Sequence, residues 1–335
     1  MLKFIVLIAL LTLPFRSHGQ SSTAKEHNLE QVLEEIYTRA RQYSLYKSNV
    51  NWTALEAKIF HGADSLLSTE NFLQRVRQIF TTIGDSHGAL YFRGKRIGLQ
   101  DSVSFTVRPA LKEPFKRGPV EVKAELLEQG YGYILLPGTG RNDKRTCQQY
   151  QDRLCELDLE NLKGIVVDLR LNEGGSIYPL FTGVNQLLGA GRIVYSCDLN
   201  GSPQDKWFVE NGRLHLGNRI VASVKNGCKA NRNIKIVVLI SQITASAGEM
   251  LAIAFKGRSN TLFFGEKTLG RTTLNAEFNL QEHYLALATH FLSDRNGHVY
   301  DDAVSPDITI TEGDNFNDLL RDAKVKAALE WLKKD

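Results

Sequence analysis

The sequence predicts an α/β layered core preceded by an α-helical segment. Three observations carry this. After the leader, the first stretch reads as three helices; from Tyr131 onward short apolar runs of strand length alternate with helical stretches; and 335 residues are enough for one large domain or two modest ones. Leu29–Tyr43 sets Val32, Leu33, Ile36 and Ala40 on one side at helical spacing. Trp52–Leu67 and Phe72–Ile83 are the next two expected helices, and the helical segment ends at Gly84-Asp85-Ser86-His87-Gly88. Ala89–Phe92 and Ser102–Val107 are expected strands, and Lys112–Gly118, rich in Pro, Gly and charge, an expected loop. The core strands are Tyr133–Leu136, Gly164–Leu169, Ile234–Ile240 and Thr261–Phe264. The helices between and after them are Cys147–Leu162, Tyr178–Leu188 and Ala247–Lys256. His283–Leu292 is a longer strand, and an amphipathic helix, Phe316–Leu332, closes the chain. The expected division is therefore a leader at 1–19, a helical subdomain at 20–88 and an α/β domain at 89–335.

The leader is read from Lys3, the apolar run Phe4–Phe15 and the small residues of Ser17-His18-Gly19, a pattern expected to be cleaved before Gln20. That run is short for a bilayer span, and no later segment is long and apolar enough for one. The expected mature chain is exported, periplasmic or secreted. The formal charge is +4, of which Lys3 and Arg16 in the leader supply two, so charge gives no argument for nucleic acid. Export permits disulfides among Cys147, Cys155, Cys197 and Cys228. Cys147 and Cys155, eight apart on one helix, would lie about 12 Å apart and cannot bridge each other. Cys197 with Cys228 is one possible pair, and four free buried thiols is the other reading. No zinc-type spacing, HExxH or nucleotide-binding pattern occurs, so no metal or cofactor is expected.

Chemistry is suggested by Ser241-Gln242-Ile243-Thr244-Ala245-Ser246-Ala247-Gly248-Glu249-Met250, a small-residue turn between an apolar strand and a helix. Ser246-x-x-Glu249 fits a capping box, which any strand-to-helix turn could carry. A serine at a helix N-terminus also sits among free amides that can stabilise an oxyanion. To act as nucleophile it needs a base. Arg271, 25 residues on, cannot serve because a guanidinium stays protonated. His87, in the turn between the helical segment and the first strand, is a candidate whose other reading is a surface histidine. Asp168-Leu169-Arg170 ends a buried strand, and Asn172-Glu173-Gly174-Gly175 follows it; paired glycines there can aim amides at an anion.

Taken together, these segments resemble the C-terminal processing, or tail-specific, peptidases and their relatives around the tricorn core. The resemblance rests on four segments in order: Asp168–Gly175, Thr244–Glu249, Gly265–Gly270 and Val304–Ile308. It implies a crotonase/ClpP-like layered αβ core and a serine peptidase acting on peptide or protein substrates. In the processing-peptidase branch the base is a lysine at the position of Arg271, so that dyad is absent. The tricorn-like branch uses a histidine in a motif that Ile83–Phe92 resembles. The resemblance then implies Ser246 as nucleophile, His87 as general base and Ser86 as the second serine of a relay. Asp301, with Asp302 the alternative, would be its acid, in place of the family's glutamate. The amides of Ala247 and of Gly174 or Gly175 would form the oxyanion hole. Many relatives carry a PDZ domain between the histidine and the first core strand; the about forty residues of Ala89–Gln129 leave no room for one. Two other functions remain open on this reading: an esterase or acyl transferase using the same serine, and a peptide-binding pseudopeptidase. The sequence sets no oligomeric state.

Overall fold

A computed structural model describes residues 29–60, 67–99, 106–128, 130–189, 191–225, 227–231 and 233–334. The expected leader, and most of the expected strand at 102–107, lie outside the described residues. The chain forms two units, Met1–Ser104 with Asn275–His290, and Phe105–Leu274 with Phe291–Asp335.

The first unit holds α1 (Leu29–Tyr43), α2 (Trp52–Phe60) and α3 (Thr69–Ile83), then β1 (Ala89–Phe92) and β2 (Lys95–Ile97). Val32, Leu33, Ile36 and Ala40 are buried as their spacing predicts. Ser68 caps α3 by accepting from Asn71 N–H, and Gly84, at φ +73°, ends it. The helices do not form a subdomain of their own. Their core is completed by Leu90, Phe92 and Ile97 from the two strands, and by Leu280, Leu285 and Leu287 from a later part of the chain. Ala89–Tyr91 pairs antiparallel with Tyr284–Ala286. The expected boundary after residue 88 therefore moves: three amphipathic helices need an apolar sheet face to cover their common side.

The second unit opens with a short helix, α4 (Pro109–Lys112), between the expected strand and the expected loop, and a 3-10 turn, Glu113–Arg117, within that loop. Proline near the first helical position explains both, since its fixed φ suits a helix start. Then follow β3 (Lys123–Glu128), β4 (Tyr131–Leu135), α5 (Lys144–Cys155), β5 (Gly164–Asp168), α6 (Ile177–Gly183) and α7 (Asn185–Leu188). β6 (Arg192–Cys197), β7 (Pro203–Glu210), β8 (Arg213–Leu216) and β9 (Arg219–Ser223) form an antiparallel meander, with an Asn211-Gly212 turn between β7 and β8. β10 (Lys235–Ile240), α8 (Ala247–Phe255) and β11 (Thr261–Gly265) come next. β12 (Leu274–Leu280) and the first part of β13 (His283–Asp294) run with the first unit, and β14 (Val299–Tyr300), β15 (Ile308–Thr309) and α9 (Ala323–Leu332) close the chain.

One sheet organises this unit, in the order β15-β11-β10-β5-β4-β3. All its pairs are parallel except β3 with β4. Its central strands are apolar on both faces, because both are covered. Ile165, Val167, Ile236 and Val238 pack with α5, α6 and α8. Val166, Val237 and Leu239 pack with Val325, Ala328 and Leu329 of α9. The closing helix is shorter than expected: Asp322 caps it, accepting from Lys324 and Val325 N–H, so the segment from Phe316 stays outside. Phe316 instead lies over the Arg170 guanidinium at 4.4 Å.

The disulfide joins Cys155 to Cys228, with Cα atoms 5.4 Å apart, and Cys147 and Cys197 are buried free thiols. Neither sequence reading contained this pair. Helix α5 ends at Cys155 rather than near 162, and the segment after β9 returns to that end, where Cys228 N–H meets Cys155 Sγ at 3.1 Å. The bridge closes a loop of 73 residues. Replacing both cysteines with serine is expected to cost about 4 kcal/mol of stability, chiefly by freeing the unfolded chain. Denaturant unfolding of the double variant against wild type, at unchanged m-value, measures it.

Candidate active site

Strand register brings the two signature segments together. In the β5–β10 pair Asp168 sits beside Leu239, so the two parallel strands end level. Loops leaving adjacent carboxyl ends of such a sheet form the usual ligand crevice. Three hydrogen bonds fasten them: Thr244 Oγ1 to Leu169 O at 2.9 Å, Ser241 Oγ to Arg170 O at 2.7 Å, and Ala245 N–H to Asn172 O at 2.9 Å. Arg170 is held in turn by Asp168, Asp314 and Asp322, all at 2.6–2.8 Å and almost fully buried. This charge cluster fixes where β5 releases the chain.

Ser246 has φ +50° and ψ −115°. The other described serine and aspartate residues that cap α-helices here, Ser68, Asp143, Ser176 and Asp322, all have the negative φ of an ordinary N-cap. A left-handed φ at a non-glycine residue costs about 1–3 kcal/mol and persists only where surroundings enforce it. Among the described residues, the other positive-φ side-chain positions, Arg93, Asn211, Asn260 and Gln281, lie in turns. At Ser246 the enforcing group is Glu249. Its Oε2 accepts from Ser246 N–H at 2.9 Å and Arg271 N–H at 2.7 Å. Its Oε1 accepts from Thr268 Oγ1 at 2.5 Å and Gly270 N–H at 2.7 Å. Glu249 is fully buried, and burial raises its pKa above the usual carboxylate range while the four donors pull it back. The capping-box reading captured only the first of these bonds. The other three tie the serine turn to the loop after β11, which sequence spacing alone could not show.

Gly174 approaches Ser246 closely. A Cβ placed on it would stand 2.9 Å from Ser246 Cβ and 3.5 Å from its Oγ, and Gly174 has φ +108°. Both facts require glycine. The Gly174 amide donates to Asn172 Oδ1 at 3.0 Å, and Asn172 Nδ2 donates to Leu136 O at 2.9 Å. Asn172 thus braces the glycine loop with its side chain and the Ser246 turn with its carbonyl. Among the described residues the amides of Gly175 and Ala247 donate to no acceptor.

In the first unit, His87 follows the end of α3. The loop that carries it is built on Asp85, which is fully buried and accepts from His87 N–H at 3.0 Å, Gly88 N–H at 2.6 Å and Ala288 N–H at 2.9 Å. Burial raises the Asp85 pKa against those bonds. Arg96 donates to His87 O at 3.2 Å. The adjacent Ser86 is partly exposed. In the second unit, Asp302 is an exposed residue paired with Lys267 at 2.7 Å, a bond that lowers its pKa. Asp301 beside it is exposed and makes no hydrogen bond or ion pair among the described residues. No group of three or more His, Cys, Asp or Glu residues suited to a metal ion occurs among the described residues.

The comparisons with known proteins agree with this architecture. The family described as Peptidase family S41 matches residues 130–310. A nisin-resistance protein of Lactococcus lactis subsp. lactis is 29% identical over 217 residues, covering 64% of this chain and 63% of that protein. A carboxyl-terminal-processing protease of Synechocystis is 28% identical over 154 residues, 46% of this chain and 31% of its own. The chain therefore spans less than two thirds of either relative. Among solved structures, a lipoprotein from Streptococcus agalactiae superposes with a TM-score of 0.66 at 21% identity, covering 94% of this chain and 99% of that one. The photosystem II D1 C-terminal processing protease does so at 0.54 and 15% identity, covering 84% and 93%. These likenesses establish the fold as mixed α/β of the S41 peptidase kind, with helices at the N-terminal end.

Proposed function

This chain belongs to peptidase family S41, and from that premise we propose that it cleaves peptide bonds through an acyl-enzyme on Ser246, with His87 as general base. The observation that carries the reading is the left-handed backbone of Ser246, fixed by a buried carboxylate and pressed against Gly174. A helix cap needs no such conformation; a nucleophile presented on a strand-to-helix turn does. In the reaction, Ser246 Oγ attacks the substrate carbonyl carbon and its proton passes to a ring nitrogen of His87. The carbonyl oxygen becomes an oxyanion, held by the amides of Ala247 and Gly175. The uncommitted Gly175 amide supports it over Gly174, whose amide already serves Asn172. Collapse expels the amine, which takes the proton from His87, and water then releases the acyl group by the reverse path. Ser86 and Asp301 are assigned as the relay that orients the imidazole. The pairing of Asp302 with Lys267 supports Asp301 as the acid. Arg271 contributes its backbone N–H to Glu249 and, as a permanent cation, takes no proton.

Substrates on this reading are peptides or proteins. Export is supported by the leader pattern, and among the described residues no helix is long and apolar enough to cross a membrane. The second reading, a peptide-binding protein without turnover, is favoured by the exposure of Asp301, which a relay acid would not ordinarily show. Quenched-fluorescence peptides separate the two. The His87→Ala variant is expected to lower kcat by about 10³- to 10⁴-fold with KM little changed. A folded wild-type protein with no turnover of any library peptide supports the second reading. Turnover undiminished in His87→Ala removes the histidine from the mechanism.

A further inference from the structure

Beside the glycine loop the second unit carries a cleft of about 310 Å³. Phe115, Pro119, Val120, Pro137 and Leu171 give it apolar walls, and among the described residues Glu173 is its one charged lining residue. Gly174, the residue that touches Ser246, also lines it, so the cleft begins one residue from the reactive side chain. Two cations near lining residues in sequence are already occupied, and a third, Arg141, is exposed beside Gly140. Lys116 pairs with Glu113 at 2.6 Å, and Arg117 donates to Asn317 at 2.9 Å. Glu173 is exposed at the rim and makes no hydrogen bond or ion pair among the described residues, and the desolvation it does experience raises its pKa. The Glu249, Asp168 and Asp322 carboxylates, by contrast, each accept several hydrogen bonds. An apolar slot with one unanswered carboxylate at its rim matches a ligand with an aliphatic stem and a cationic end, as lysine and arginine place themselves elsewhere in proteins.

We propose that this cleft is a specificity subsite for a lysine or arginine flanking the scissile bond, with the methylenes between Phe115, Val120 and Leu171 and the cation at Glu173. The proposal rests on the serine-peptidase reading for its meaning, but its test does not. Peptides are made with lysine, norleucine or glutamate at each of the two residues flanking the cleaved bond. Norleucine keeps the stem and removes the charge. The wild-type kcat/KM for lysine over norleucine is expected to be about tenfold at one of the two positions, the size of one charge-assisted hydrogen bond. In Glu173→Gln that ratio should fall to near one, and in Glu173→Lys the glutamate peptide should become the better substrate. Binding of the same labelled peptides to the Ser246→Ala protein, read by fluorescence anisotropy, should show the same order. Binding that prefers lysine in a protein that never hydrolyses overturns the catalytic reading and leaves the subsite standing. Equal handling of lysine and norleucine, or a ratio unmoved by Glu173→Gln, overturns the subsite whether or not the protein is a peptidase.

Discussion

Ser246→Ala should lower kcat by about 10⁴- to 10⁶-fold, the range seen when an acyl-transfer nucleophile is removed. The effect on stability should be far smaller. Losing a serine cap costs about 1 kcal/mol, and alanine inherits the same unfavourable φ. Ser246→Gly makes the contrast sharper. Glycine adopts φ +50° freely, so this variant should be at least as stable as wild type and equally inactive. A residue whose replacement by glycine leaves the fold at least as stable and removes function is held in its conformation for chemistry rather than for the helix. Paired melting curves and turnover measurements on the two variants test this. If both variants kept wild-type turnover, Ser246 would be a cap and nothing more.

The second large effect is expected at Glu249. Glu249→Ala leaves four donors, from Ser246, Thr268, Gly270 and Arg271, without their acceptor in a buried place. A buried group that answers several partners typically costs about 3–5 kcal/mol to remove. Stability should fall by that order. The reaction of Ser246 with an active-site phosphonate should slow even under conditions where the variant is folded, because nothing then enforces the backbone of Ser246. Glu249→Gln should be intermediate: its amide oxygen can still accept two of the four bonds, while its NH₂ faces the other donors. The ordering wild type, then Gln, then Ala, in both stability and labelling rate, identifies a positioning residue. A Gln variant indistinguishable from wild type would show that the negative charge is not needed.

Much of this was legible in the sequence for identifiable reasons. β5 and β10 are buried on both faces and so read as continuous apolar runs, and the segments at their ends carry the glycines and the serine. Helix α1 announces itself by spacing, and α3 by spacing with Ser68 and Gly84 at its ends. The meander β6–β9 was not foreseen, although Asn211-Gly212 between alternating runs is a hairpin signal that could have found it. The roles of Glu249 and Asn172 depend on partners brought in by the fold, 19 to 22 residues away for Glu249 and 36 for Asn172. No local pattern encodes those. The Cys155–Cys228 bridge was hidden for the same reason, compounded by a helix expected to run past Cys155. The helical segment was legible as helices, but its reliance on strands was not, because β1 and β2 lie just past the expected boundary at residue 88 and the other partners come from 275–290.

The most direct test is fluorophosphonate labelling of the purified chain with mass mapping of the modified residue, alongside Ser246→Ala and His87→Ala. The mechanism predicts a single label on Ser246, absent in both variants. A folded wild-type protein that takes no label, or a label on Ser246 that persists undiminished in His87→Ala, would contradict it.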